Sequence, residues 1–441
     1  MTITTFGTVD ARSLHQLETC MAAGDATRGV LCADHHPGYS QPIGGAVAYE
    51  GHISPSGVGY DIGCGNKAVQ TELTRPDLEA LGGVEAVMDE IVRRVPFGMG
   101  VPARERVDHP VLERIREARF APQRALARLA ADQLGTVGSG NHYVNLMEDD
   151  HGHVWVGVHF GSRGFGHKTA SGFLALAQGL AFDGHARNGE MDSPPVLFEV
   201  DSELGQSYIS AMKLAGEYAY AGRDVVVAKV LGVLGATAVD EVHNHHNFAW
   251  RESHAGREAW VIRKGCTPAW PGQRGFVGGS MGEASVILEG VDSDEAASSL
   301  RCTVHGAGRV MSRTQAAGKA RRTKRWACRN RDCLRTFPRN TNRAHPDATR
   351  PACPEHPTAG VMSTWVREQI RPGVVDWPAV RRRLAADGIV LRGGAADEAP
   401  EVYKRLPEVL AAHGGSVRVT HTLRPLGVAM AGRDVRDPYR D

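Results

Sequence analysis

Three short glycine-bearing stretches and one histidine cluster carry side chains able to hold a divalent cation. Asp61-Ile-Gly-Cys64-Gly65 sets a carboxylate and a thiol three residues apart in one loop. Gly138-Ser-Gly-Asn141-His142 repeats the logic with an imidazole, and His159-Phe-Gly-Ser-Arg163-Gly164 puts a histidine at the end of a β-like run. His243-Asn-His-His246-Asn247 supplies a cluster. Mixed thiolate, imidazole and carboxylate donors suit Zn²⁺ or Mn²⁺. A bridging thiolate can hold two ions close together, an arrangement used in phosphoryl chemistry. Any one of these histidines, taken alone, is more often a satisfied core or surface residue, and no single spacing is diagnostic without a fold.

These stretches need elements to bring them together. The 52 glycines fall in blocks at residues 57–65, 135–140, 161–166, 272–282 and 306–308. Glycine lets a backbone approach a ligand closely. Helix-type patterns run over residues 75–94 and 111–134, and β-like runs over 153–158 and 259–262 adjoin the glycine blocks. The expectation is an α+β chain, with strands and helices presenting several glycine-rich loops to one central cleft.

A chain of 441 residues with 42% hydrophobic and 23% charged residues builds a large core and is neither disordered nor collagenous. A formal net charge of +1 excludes a globally basic nucleic-acid-coating protein but not a local basic patch. The N-terminus lacks a basic region followed by an apolar one, so no signal peptide is expected. The most apolar stretch, residues 225–239, contains Lys229 and is too short to span a bilayer. These features lead to an expectation of a soluble, cytoplasmic protein with no membrane partner. Eight cysteines are too few for a disulfide framework at this length and are read as buried thiols or metal ligands.

One segment differs in character. Residues 318–350 hold 11 Lys and Arg against two Asp. Cys328 and Cys333, then Cys353 and His356, form two knuckle-like pairs, with His345 a possible substitute ligand. Three thiolates and one imidazole suit a structural zinc ribbon. The expected organisation is a core over 1–317, a basic zinc-ribbon-like insert over 318–360, and the remaining core over 361–441. The insert's arginines are candidates for nucleic-acid phosphates or for a merely solvated face.

Taken in order, the motifs resemble the RtcB-type RNA ligases. They are Asp34-His-His-Pro-Gly38 with Pro42-Ile-Gly-Gly45, Gly57-Val-Gly-Tyr-Asp-Ile-Gly-Cys-Gly65, Gly135-Thr-Val-Gly-Ser-Gly-Asn-His142 and residues 159–166. His246-Asn247 with His254, Arg263-Lys-Gly265 and Pro271-Gly-Gln273 follow. Gly279-Ser-Met-Gly282 with Ser285, His305-Gly-Ala-Gly-Arg309 with Ser312-Arg313, and Asp397-Glu-Ala-Pro400 with Tyr403-Lys404 complete the series. The resemblance covers nearly the whole chain outside the insert.

It implies one large mixed domain and a ligase that joins RNA 3′-phosphate or 2′,3′-cyclic phosphate ends to 5′-hydroxyl ends. Two Mn²⁺ ions would be held by Asp61, Cys64, His142, His159 and His246. His305 would be the nucleophile that takes guanylate from GTP. Asn141, Ser280, Ser285, Tyr403, Gly306 and Gly308 would contact the nucleotide. Arg163, Arg309 and Arg313 would contact phosphates or RNA. An archease-like activator is a further partner the resemblance brings.

Two departures strike nucleotide selection. The family position that carries Glu, three residues after the Asn-His histidine, is Asn145 here. The family's C-terminal Lys-Gly is absent, replaced by Gly427-Val-Ala-Met-Ala-Gly432. A relaxed or altered GTP preference is expected. Competing readings are a metal-dependent phosphohydrolase acting on cyclic phosphates without a His305 adduct, or an RNA-end binding protein without turnover. The intact His305, Arg309 and metal-type residues argue against the latter, and no G-x-x-x-x-G-K-[ST] motif supports a kinase-like role.

Overall fold

Two sheets meet where the metal-type side chains converge. The computed structural model describes residues 2–186, 191–330, 333, 335–339 and 350–432. The fold is α+β. One sheet has five strands in the order Thr2–Thr5, Ala26–His36, Ile43–Tyr49, Arg257–Lys264 and Asn247–His254. The larger sheet runs Arg274–Val277, Ser285–Gly290, Val417–Gly432, Tyr143–Glu148, His153–Phe160, Gly65–Thr74 and Ala238–His245, with Val390–Gly394 pairing beside Val417–Gly432.

The β-like runs become the strands His153–Phe160 and Arg257–Lys264. The helical pattern over 75–94 becomes two helices, Arg75–Ala80 and Gly83–Arg94. The break comes at Gly82 and Gly83, whose φ angles are +93° and +85°. The pattern over 111–134 likewise divides into Pro110–Arg116, Ala121–Arg124 and Ala127–Gln133.

A 32-residue helix, Glu203–Leu234, underlies the site. Ser202 caps its start by accepting the Gly205 N–H, and Gly235 ends it in the left-handed conformation. Residues 225–234 of the apolar stretch form its C-terminal third, turned into the core through Val226, Val227, Val230 and Leu234, and the stretch runs on past Gly235 into the next strand. No helix among the described residues is long and apolar enough to cross a membrane.

Beyond the core, Gly318–Cys328 pairs antiparallel with Val361–Pro372 from Gly318↔Pro372 to Cys328↔Val361, and Thr336–Pro338 adds a third strand. The expected insert boundary at residue 360 falls just before the returning strand. The pairing makes Gly318–Cys328 and Val361–Pro372 the two long strands of one arm.

Candidate metal centre and nucleophile

Each candidate sits at a strand end or beside one. Cys64 immediately precedes Gly65–Thr74, and His142 immediately precedes Tyr143–Glu148. His159 pairs in register with Asn66 on one side and Tyr143 on the other. His246 is the single residue between Ala238–His245 in the large sheet and Asn247–His254 in the small one. It therefore stands at the crossing from one sheet to the other.

The donor atoms converge. One ligand atom each from Cys64, His142 and His159 lies within 4.8 Å of the other two. Cys64 Sγ is 3.9 Å from His142 Nε2 and 3.8 Å from His159 Nε2. Asp61 Oδ2 is 3.1 Å from His142 Nε2. His246 stacks on His159 at 5.2 Å between ring centroids and meets His305 edge-on at 4.9 Å. Packing demands glycine nearby: a Cβ on Gly161 would lie 2.2 Å from Asp61 Oδ1.

Hydrogen bonds fix the imidazole tautomers. His142 Nδ1 is 3.0 Å from the Val137 carbonyl, which only accepts, so Nδ1 carries the proton. Asn66 Nδ2 donates to Phe276 O, leaving its Oδ1 to accept from His159 Nδ1 at 2.7 Å. His159 Nε2 therefore keeps its lone pair toward Cys64, as an oriented metal ligand requires, while His142 Nε2 lies between Cys64 and Asp61 Oδ2, where a proton or a cation must sit. Burial holds His159 and His246 far below the usual histidine range, hence neutral. Burial also pushes the Cys64 thiol well up, and the Asp61 charge adds to this. A cation would offset both effects by stabilising the thiolate. His246 Nδ1 is buried and hydrogen-bonds nothing. Donor chemistry, fixed tautomers and this orphaned nitrogen all fit a divalent metal.

His243 and His245 face elsewhere. Arg223, fully buried on the long helix, donates to His243 Nε2 at 2.8 Å and lies 3.0 Å from His245 Nδ1. The same guanidinium donates to the carbonyls of Gly63 and Phe160 at 2.9 and 2.6 Å, tying the Cys64 loop to the strand bearing His159.

His305 follows the short strand Cys302–Val304. Its Nδ1 lies 2.6 Å from Asp34 Oδ2, and the same oxygen accepts its backbone N–H at 2.9 Å. Asp34 is fully buried, and its carboxyl sits below the usual range because His305 outweighs the effect of burial. A carboxylate only accepts, so Nδ1 holds the proton and Nε2 keeps its lone pair. Asp34 opens the Asp34-His-His-Pro-Gly38 motif, whose composition assigns it no role, and 271 residues separate it from its partner.

The nucleotide and phosphate candidates fall around this centre. Asn141 Nδ2 is 3.3 Å from His159 Nε2. Gly306 bridges to Gly278, Gly308 accepts the Lys404 N–H through its carbonyl, and Ser285 Oγ accepts the Gly279 N–H at 3.1 Å. Ser280 Oγ is buried without a partner. Arg163 Nη1 comes within 3.4 Å of His142 Nδ1, while its Nε is buried and unbonded. Arg309 and Arg313 instead engage acids. Arg313 binds Asp397 Oδ2 at 2.8 Å and also Glu398. Arg309 lies over the Tyr403 ring and reaches Asp397 O at 2.8 Å, and the Tyr403 hydroxyl donates to Glu398. In the arm, Cys328, Cys333, Cys353 and His356 come together. His345 lies outside the described residues.

The family described as "tRNA-splicing ligase RtcB" matches residues 16–127 and 113–335. The chain belongs to the RtcB family. The RNA-splicing ligase RtcB of Escherichia coli K12 is 32% identical over 312 residues, covering 64% of this chain and 74% of that protein. The RNA-splicing ligase RtcB of Mycobacterium tuberculosis H37Rv is 30% identical, covering 89% of this chain and 94% of that one. The tRNA-splicing ligase RtcB of Pyrobaculum aerophilum is 30% identical, covering 65% and 74%. The RtcB match thus embraces the convergent Cys64, His142 and His159 group and His305.

Proposed function

We propose that this RtcB-family chain is an RNA ligase that joins 3′-phosphate or 2′,3′-cyclic phosphate ends to 5′-hydroxyl ends through a guanylylated His305. The observation that carries this reading is the Asp34-held His305 ring, with its Nε2 lone pair free beside His246.

Two Mn²⁺ ions held by Asp61, Cys64, His142, His159 and His246 would offset phosphate charge as it develops. Asp34 keeps the His305 proton on Nδ1, so Nε2 attacks the α-phosphate of GTP. The new P–N bond replaces the bond to pyrophosphate, which leaves. The imidazolium character that forms is balanced by the buried Asp34 carboxylate. Guanylate then passes to the RNA 3′-phosphate and frees His305. The RNA 5′-hydroxyl attacks that activated phosphate, closing the phosphodiester and releasing GMP. A cyclic phosphate is first opened by water to the 3′-phosphate.

Arg163 has guanidinium donors to spare for a phosphate. Arg309 contributes by sharing donors already given to Asp397 and Glu398, and Arg313 through nitrogens other than the Nη1 held by those acids. Asn141, Ser280, Ser285, Tyr403, Gly306 and Gly308 would contact the nucleotide. Residues 1–317 and the chain after the arm form one catalytic core.

The test incubates the purified protein with Mn²⁺ and each of four α-labelled nucleoside triphosphates. A denaturation-resistant label lost in His305→Ala supports the ligase. No label with any nucleotide, with an archease-like activator added, shifts the reading to a metal-dependent phosphohydrolase.

A further inference from the structure

We propose that Cys328, Cys333, Cys353 and His356 form a second metal site, a structural zinc centre separate from the catalytic cleft. One ligand atom from each lies within 4.8 Å of the other three. Cys333 Sγ is 3.7 Å from Cys353 Sγ, and Cys353 Sγ is 3.9 Å from His356 Nδ1. Two thiolates on one tetrahedral zinc, each at about 2.3 Å, sit about 3.8 Å apart. The sulfurs are not bonded to one another.

Two turns present the ligands. Cys333 N–H donates to Asn330 O, and His356 N–H donates to Cys353 O. Cys328 ends the first long strand of the arm, and its N–H donates to Arg335 O. The described residues of the arm also form no apolar core. Among the described residues of 318–372, the buried side chains are Trp326, Cys328, Cys353 and Val361. Two of those four are ligands. A module this small with so little burial needs a metal or disulfide to hold its loops. Binding would release the thiol protons and tie the turns to the sheet.

The experiment uses the full chain, stripped of weak metal and analysed for zinc by mass spectrometry and by zinc-edge X-ray absorption. Wild type is expected to retain one more zinc per chain than Cys353→Ser or His356→Ala, with a sulfur-rich shell that both variants lose. His356→Cys, which restores four ligands, is expected to keep the ion. Equal zinc content and the same sulfur shell in all four proteins, with melting of the core unchanged, would overturn the site.

A different observation carries a second inference: one face of this arm binds single-stranded RNA. This rests on the RNA reading above. Residues 318–372 hold thirteen Lys and Arg against four Asp and Glu, in a chain of net charge +1. Strand alternation separates the two faces. On one, Glu368 pairs with Arg321 and Arg325. On the other, Lys324 lies over the exposed Trp365 ring at 5.1 Å, and Arg339 and Arg350 lie over Trp326 at 4.7 and 5.2 Å. The exposed Trp365 ring can stack a base while Lys324, Arg339 and Arg350 meet phosphates, and the buried Trp326 ring anchors the two arginines. Arg335 is taken by Glu355 and contributes less. Arg343 lies outside the described residues.

Lys324→Glu with Arg339→Glu is expected to weaken binding of a single-stranded RNA at least tenfold and to flatten its salt dependence. The His305 adduct with nucleotide alone should form at the wild-type rate. Unchanged RNA affinity with a normal adduct would sink the RNA face and leave the ligase reading standing. Loss of the adduct in wild type would instead sink the ligase reading.

Discussion

His305 Nδ1 and Asp34 Oδ2 lie 2.6 Å apart, and that oxygen also accepts the His305 backbone N–H. One buried carboxylate thus sets the ring's tautomer and its position. Asp34→Asn keeps the size but loses the charge that balances the imidazolium. Its amide can also turn a donor toward Nδ1 and move the proton to Nε2. The rate of His305 labelling is expected to fall by about 10²-fold or more. Metal content should stay at the wild-type level, since Asp34 is not among the cleft donors. A labelling rate within about threefold of wild type would leave Asp34 without the orienting role.

Gly265 sits against the same ring. Its φ is +64°, and a Cβ there would lie 3.0 Å from His305 Cε1 and 2.5 Å from Ile43 Cγ2. Gly265→Ala is therefore strained in backbone and crowded at the nucleophile. The expected result is a soluble protein of lower melting temperature with labelling reduced at least about tenfold by misplacement of the ring. Labelling time courses beside thermal melts would check it.

The small sheet carries an acid-sensitive ion pair. Arg263 is fully buried and grips Glu252 through two bonds of 2.7 and 2.9 Å. Burial alone would raise the Glu252 pKa, but Arg263 and His254 outweigh it and hold it at about 2. A carboxyl depressed in the fold contributes stability that is complete above its unfolded value, about 4.3, and is lost as pH falls toward 2. Melting temperature should therefore drop through that window. Glu252→Gln is expected to flatten this part of the profile and to cost about 3–5 kcal/mol near neutral pH, because Arg263 is left unpaired. An identical acid profile in the variant would remove Glu252 as the cause.

The local chemistry was legible in the sequence, and the long-range partners were not. Asp61, Cys64 and His142 stand in glycine-flanked loops and His159 near the end of a β-like run, residue types that suit a metal. The strands over 153–158 and 259–262 show in their β-type composition. Arg223 does not, because it looks like one more charge on an apolar helix until the fold buries it under Gly63 and Phe160. Asp34 was visible only as part of a motif, since its partner is set by tertiary packing. The arginines at 309 and 313 looked free for phosphate because Asp397 and Glu398 lie more than 80 residues away. The helical pattern over 75–94 hid its break because the glycines interrupt it at one point only.

On the proposed ligase reading, nucleotide choice is expected to turn on Asn145. It lies two residues beyond Tyr143 on one strand, so both face the same side of the sheet. Tyr143 stacks on His159 at 5.4 Å, which places that side against the metal centre. The Oδ1 of Asn145 and the hydroxyl of Tyr143 are buried without partners. Opposite them run Val428 and Met430, on a strand with no lysine. An ionised carboxylate at 145 would accept two N–H bonds from guanine, whereas the amide offers one acceptor and one donor group. The wild-type protein is therefore expected to label His305 with more than one nucleoside triphosphate. Asn145→Glu should shift the ratio of GTP to ATP labelling toward GTP by about tenfold or more, the scale of one charged hydrogen bond. Parallel adduct rates with the four nucleotides, for both proteins, measure the ratio directly. Exclusive labelling by GTP in the wild type would show that the amide leaves base selection intact.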